Sequence, residues 1–288
     1  MPAVAQGSEL GRLQEMSLDG ARLAYLEAGP AEAEPVLLLH GYPSNHRIWR
    51  HQVEALSGSH RVYAPDLLGW GASEQPLGLQ FDYDTEVERL GRLLDGLGLE
   101  RVNLIAHDYG GFLSLGFCQR HPERVARLAL LNTRAQGSFV PRWYALFGGL
   151  CLIGRLPLLR SLAAALPLAA FHRRALAPLE RKGVVDRELI ESYLAPMRTR
   201  PGRRWLLHFF GEYGIAPRPE LRDRLAEIGC PTAIVWGRRD QYIALETPLE
   251  LAREIPGAEL TLIDEAGHFV PEERPERVNR ALLELLGR

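Results

Sequence analysis

Cysteine is scarce in this chain: three in 288 residues, Cys118, Cys151 and Cys230, far apart and without metal-ligand spacing. An odd, scattered set argues against a disulfide framework and suits a reducing compartment. Excess positive charge is also missing. The formal net charge is −2, so the basic footprint of a nucleic-acid-binding protein is absent and no such partner is expected. No apolar run reaches the roughly 20 residues that a membrane-spanning helix needs. The most apolar stretch, 146–171, is interrupted by Arg155, Pro157, Arg160 and Pro167. It reads as helices packed over something, with a peripheral membrane contact as the lesser alternative. The opening MPAVAQGSELGRLQEM lacks the basic start and apolar core of an export signal, so the expected location is cytoplasmic. No cofactor motif and no metal-ligand cluster occurs, and none is expected to be needed.

What is present is the balance of an ordinary globular protein, 46% hydrophobic and 24% charged residues. The length allows one large domain, or a domain carrying an insertion. Unalternating apolar runs at Val36 to Leu39, Val102 to Ala106, Val125 to Leu131 and Thr232 to Trp236 suit strands buried on both faces of a parallel sheet. Shorter strands are expected at Arg22 to Glu27, Arg61 to Ala64 and Glu259 to Ile263. Between them lie helical patterns, at Trp49 to Leu56, Asp84 to Leu97, Gly111 to His121, Pro248 to Glu254 and Pro275 to Leu286. Strands alternating with helices imply a doubly wound, mostly parallel α/β sheet. The alternation breaks from 134 to 218, a stretch rich in Leu, Ala, Arg and Pro with helical periodicity. Residues 1–133 and 219–288 are therefore expected to form the core, and 134–218 a helical insertion.

The strongest local signal is Leu104-Ile105-Ala106-His107-Asp108-Tyr109-Gly110-Gly111, between an apolar strand and a helical segment. A nucleophile elbow needs that setting, because a tight, strained turn projects its central side chain above the sheet and small flanking residues let strand and helix approach. In the esterase form the central residue is serine; here it is Asp108. Alone, Asp108 reads equally well as a helix N-cap. Two further residues shift the balance, in the chain order nucleophile, acid, histidine. Asp240 ends a loop after the strand at Thr232, at the carboxyl edge of the sheet where ligands of such sheets bind. His268 lies in the loop after the last strand. Each could be an unremarkable loop residue, but the three together form one pattern.

His40-Gly41-Tyr42-Pro43 directly follows the strand Val36 to Leu39. Backbone N–H groups from this loop and from the residue after the nucleophile are the donors that a developing oxyanion requires. Those residues are Tyr42 and Tyr109. Tyr42-Pro43 is also a candidate cis peptide, against the more common trans turn.

HGYP at Tyr42, DLLGWGAS at Asp66 to Ser73, AHDYGG at Asp108, WGRRD at Asp240 and AGHFVPEERP at His268 together resemble the α/β-hydrolase superfamily. More narrowly, they resemble its aspartate-nucleophile branch of epoxide hydrolases and haloalkane dehalogenases. The likeness runs from about Arg22 to the C-terminus and is weak in the helical insertion. Asp66 to Ser73 is expected to shape a turn rather than react. The resemblance implies that the insertion is a lid and that Asp108 attacks a saturated carbon of a small apolar electrophile, giving an alkyl-enzyme ester. Water, activated by His268 with Asp240 behind it, then hydrolyses that ester.

The leaving-group side departs from both branches. Dehalogenases usually hold halide with a Trp after the nucleophile and an Asn after the HG pair, where this chain has Tyr109 and Tyr42. Epoxide hydrolases activate the epoxide oxygen with lid tyrosines, because an alkoxide needs a proton and a halide does not. Tyr193 is the first candidate for that acid and Tyr144 the second, with Tyr213 the third lid tyrosine; each could instead be a packed aromatic. The segment Trp205 to Phe210, where epoxide hydrolases often carry tyrosine, has none. Epoxide hydrolysis is thus the leading expectation and haloalkane hydrolysis the alternative. A hydrolase-like ligand-binding protein without turnover is the reading from another class.

Overall fold

A computed structural model describes residues 11–135 and 139–288. Eight strands form one sheet: β1 (Arg12–Leu18), β2 (Ala21–Ala28), β3 (Pro35–Leu39), β4 (Arg61–Pro65), β5 (Val102–His107), β6 (Val125–Leu131), β7 (Thr232–Gly237) and β8 (Glu259–Ile263). Their spatial order is β1-β2-β4-β3-β5-β6-β7-β8. β2 pairs antiparallel with β1 and with β4, and every pairing from β4 through β8 is parallel. The doubly wound α/β sheet expected from the apolar runs is present. β1 is the strand the sequence reading missed. It is an edge strand that alternates exposed and part-buried residues, and it joins β2 through Asp19 and Gly20, both with positive φ. Asp-Gly is the pair such a two-residue hairpin turn favours, so a local signal existed.

The helices are α1 (Arg50–Leu56), α2 (Tyr83–Gly96), α3 (Tyr109–Arg120), α4 (Pro141–Arg155), α5 (Pro157–Ala163), α6 (Leu168–Arg181), α7 (Arg187–Arg198), α8 (Arg200–Tyr213), α9 (Pro219–Asp223), α10 (Glu246–Glu254), α11 (Val270–Glu273) and α12 (Pro275–Leu286). α2 packs on α3 and α1 on α12, flanking the sheet. Between β6 and β7 no strand occurs among the described residues; α4 packs on α8 and α7 on both α6 and α8. Among the described residues no single helix is long and apolar enough to cross a membrane.

The chain leaves β3 for β4 and returns past it to β5. That reversal opens a crevice at the carboxyl ends of β3 and β5, where open α/β sheets bind ligands. The loop after β4 closes one side of it. Its buried Asp66 accepts from His46 N at 2.7 Å, His46 Nδ1 at 2.8 Å and Ala72 N at 2.7 Å. On this loop Trp70 meets Trp205 of α8 edge to face, with centroids 5.0 Å apart, so the inserted helices dock on a scaffold fixed by one carboxylate. Replacing Asp66 with Ala would strand buried donors, each costing about 1–3 kcal/mol. We expect Asp66→Ala to lose at least about 3 kcal/mol of stability by urea denaturation; an unchanged midpoint would remove Asp66 from this role.

Candidate active site

β5 runs into α3 through a single residue, Asp108, held at φ 49° and ψ −115°. A non-glycine residue there is strained, and such strain persists only where its surroundings over-determine it. Two glycines make the turn possible. A Cβ on Gly41 would lie 2.4 Å from Asp108 Cβ, and one on Gly110 would lie 2.5 Å from the Leu39 carbonyl oxygen. The backbone is also bonded at both ends: Asp108 N donates to the Leu131 carbonyl at 3.2 Å, and Thr133 Oγ1 donates to the Asp108 carbonyl at 2.6 Å.

The Asp108 side chain makes no capping bond to α3, so the helix-cap alternative fails. Its Oδ2 accepts from Tyr42 N at 2.8 Å, while Oδ1 lies 3.6 Å from His268 Nε2. Tyr42 is positioned by the loop after β3, whose Tyr42-Pro43 peptide is cis. His40 anchors that loop: Nδ1 donates to the Gly41 carbonyl at 2.9 Å and Nε2 accepts from Leu67 N at 3.0 Å.

Asp240, after β7, and His268, after β8, complete the group. His268 Nδ1 donates to Asp240 Oδ2 at 2.8 Å, which turns Nε2 toward Asp108. Asp240 Oδ1 accepts from Tyr242 N at 2.7 Å and Ile243 N at 3.1 Å, and Oδ2 also accepts from Asn132 Nδ2 at 2.8 Å. The carboxylate is thus saturated with donors and fixed in orientation. Asn132 was not singled out from the sequence. It sits at the end of β6 with φ 35°, and its Oδ1 accepts from Gly237 N at 2.8 Å. A polar residue closing a run of buried apolar ones was the available signal.

The electrostatics follow from this packing. Burial opposes charge on His268, but the carboxylates of Asp240 and Asp108 outweigh it and push its pKa up to about 10. Burial likewise disfavours the Asp108 carboxylate, yet His268 and the Tyr42 N–H hold its pKa below the ordinary value. His107 behaves oppositely. Burial, with the nearby His268 charge, lowers it to about 4, and its Nε2 donates to the His268 carbonyl at 2.8 Å. It stays neutral and braces the His268 loop.

The cavity over these residues has aromatic and aliphatic walls, including Phe139, Phe147, Leu176, Phe209 and Phe210, with Asp108, His268, Tyr42 and Tyr109 among its lining. The two lid tyrosines favoured from the sequence do not line it. Tyr193 is buried on the stripe of α7 that carries Leu189, Ile190, Leu194 and Met197, the i, i+3, i+4 positions of a core-facing side. Tyr144 is 39% exposed, one residue and thus about 100° around the helix from Trp143, which does line the cavity. The lining holds Tyr213, Tyr242 and His172 instead. The sequence had left His172 without a role.

The donors in the cavity differ in what they can still give. His172 Nδ1 donates to the Leu168 carbonyl at 2.7 Å, so its Nε2 accepts from the Tyr42 hydroxyl. The Tyr109 hydroxyl donates to Glu86 at 3.0 Å. Tyr213 Oη instead accepts from Arg134 Nη1 at 2.9 Å. A guanidinium can only donate, so the Tyr213 proton is left to be offered elsewhere.

This fold and crevice define a hydrolase of the α/β class. The chain matches the alpha/beta hydrolase fold family over residues 34–275 and belongs to it. Among its relatives is a 2-hydroxy-6-oxononadienedioate/2-hydroxy-6-oxononatrienedioate hydrolase of Pseudomonas putida, 30% identical over 98% of this chain and 97% of that one. A cis-3-alkyl-4-alkyloxetan-2-one decarboxylase of Shewanella oneidensis is 28% identical over 91% and 84%. The epoxide hydrolase of Bacillus megaterium, solved with an inhibitor, superposes with a TM-score of 0.78 over 96% of this chain and 100% of that one, at 23% identity, a likeness of fold alone.

Because the folded His268 pKa is raised from 6.5 to about 10, its contribution to stability is complete below the unfolded value and disappears as pH rises toward the folded one. We expect the urea midpoint of the protein to fall over that window and His268→Gln to flatten the decline. An identical slope in the variant would mean that other groups carry it.

Proposed function

We propose that this α/β-hydrolase uses Asp108 as its nucleophile and opens a small apolar epoxide to a diol through an alkyl-enzyme ester. The observation that carries the reading is the disposition of the two Asp108 oxygens, one held by the Tyr42 N–H and the other directed at His268. A carboxylate kept ionised needs no base, so Asp108 can attack an sp³ carbon directly. The ring C–O bond breaks as the ester C–O bond forms. The departing alkoxide takes its proton from Tyr213, whose hydroxyl is supported by the Arg134 cation.

The second step follows from charge. Esterification removes the Asp108 charge, one of the two that hold the His268 proton, while burial and Asp240 remain. With that charge gone the buried His268 gives up its proton, which returns to the Tyr213 oxygen, and the neutral Nε2 then takes the proton of the attacking water. Water adds to Asp108 Cγ, and the resulting oxyanion is the former Oδ2, already on the Tyr42 N–H, with Tyr109 N–H at the start of α3 as the second donor. Collapse releases the diol, protonated by His268, and the proton left on the Asp108 carboxyl returns to His268, which restores the starting ion pair. In this reading helices α4–α8 act as a lid that keeps other water out.

Carbon–halogen hydrolysis is the second reading. It is favoured by Trp143, which lines the cavity and whose indole N–H has no partner among the described residues. An oxetan-2-one, named for one relative, is also a strained oxygen ring and belongs in the test. Incubation with aryl and alkyl epoxides, bromoalkanes and an oxetan-2-one is expected to give diol from epoxide. Asp108→Asn should abolish turnover, and His268→Gln should leave an adduct on Asp108 visible by mass spectrometry. Tyr213→Phe should lower kcat on epoxide by about 10²- to 10⁴-fold without slowing any bromide release. Bromide release with no diol would overturn the epoxide reading, and no adduct with any electrophile would favour a binding protein.

A further inference from the structure

The inserted segment differs in charge from the rest of the chain. Residues 134–218 carry fourteen Arg and Lys against five Asp and Glu, whereas the chain as a whole carries 34 against 36. Between 139 and 182 the imbalance is sharper, seven against Glu180 alone. Over the same stretch the surface is unusually apolar. Leu152 at the end of α4 is 61% exposed, Leu158 and Leu162 of α5 are 72% and 62%, and Leu166 in the following turn is 55%. Arg174, in the first half of α6, is exposed, as are Arg181 and Lys182 at and beyond its end.

An exposed apolar surface on a segment rich in cations suits the boundary of a lipid layer, where leucines enter the acyl region and Arg and Lys meet anionic headgroups. α4 and α5 would together satisfy a membrane span by composition, but they meet at a 115° bend. The pair is shaped to lie on a surface rather than to cross it. Phe171 of α6 is 47% exposed and also lines the cavity, so the apolar face continues into the mouth of the candidate active site. A second copy is a poorer occupant, because a symmetric contact would press two strongly cationic faces together.

We infer that the face formed by α4, α5 and the start of α6 docks on an anionic lipid surface, and that the mouth at Phe171 admits apolar substrate from that phase. This holds whichever leaving group the site serves. The test is flotation of the full chain with phosphatidylcholine vesicles, with and without phosphatidylglycerol. Wild type should float with the anionic vesicles only, and less as salt rises. Leu158→Asp with Leu162→Asp, both at exposed positions, should reduce bound protein by about tenfold at unchanged Tm; Arg174→Glu should reduce it too. Absence of wild-type protein from anionic vesicles, or binding that neither variant alters, would overturn the inference. So would self-association, seen by light scattering, that Leu158→Asp abolishes, since it would give the face to a second copy.

Discussion

A buried carboxylate that must stay charged is expensive, and the carboxyl edge of this sheet is organised around meeting that cost at Asp108. Its backbone is forced into a positive-φ turn by the close approach of Gly41 and Gly110, which fixes where the charge sits. A backbone donor from Tyr42 and a cation on His268 then compensate the lost hydration. Asp240 holds the histidine, Asn132 holds Asp240, and the strand ends of β3, β5, β6, β7 and β8 supply the residues in turn. Loss of any one of these supports would be felt as destabilised charge rather than as lost packing.

The same arrangement explains how one histidine can serve as cation and as base in the proposed cycle. Two flanking carboxylates make His268 a cation at neutral pH; neutralising one of them is the event that changes its proton affinity. No conformational switch is needed. The neutral His107 beneath it adds a bond to the loop without adding a charge.

How much of this was legible in the sequence depended on whether the signal was local. The buried strands were readable because parallel strands covered on both faces are continuous apolar runs; β6 and β8 have the predicted limits, and β5 extends one residue further, to His107. Asp108, Asp240 and His268 were readable because strand-end loops bring them together whatever the helices do. β1 was missed because an edge strand is only half apolar. Which helical tyrosine lines the cavity was harder to read. Helical periodicity says that Tyr193 and Tyr213 each lie on a buried face, but not whether that face meets the core or the cavity. Only the packing of α7 and α8 distinguishes them. His172 and Arg134 gained their relevance from partners 130 and 79 residues away, contacts that no local pattern encodes.

Tyr42 has two ends, and both are in use. Its backbone N–H holds the Asp108 carboxylate, and its hydroxyl is received by His172 on α6. The helices above the sheet and the carboxylate at its edge therefore meet in one residue, which joins the wall of the cavity to its floor.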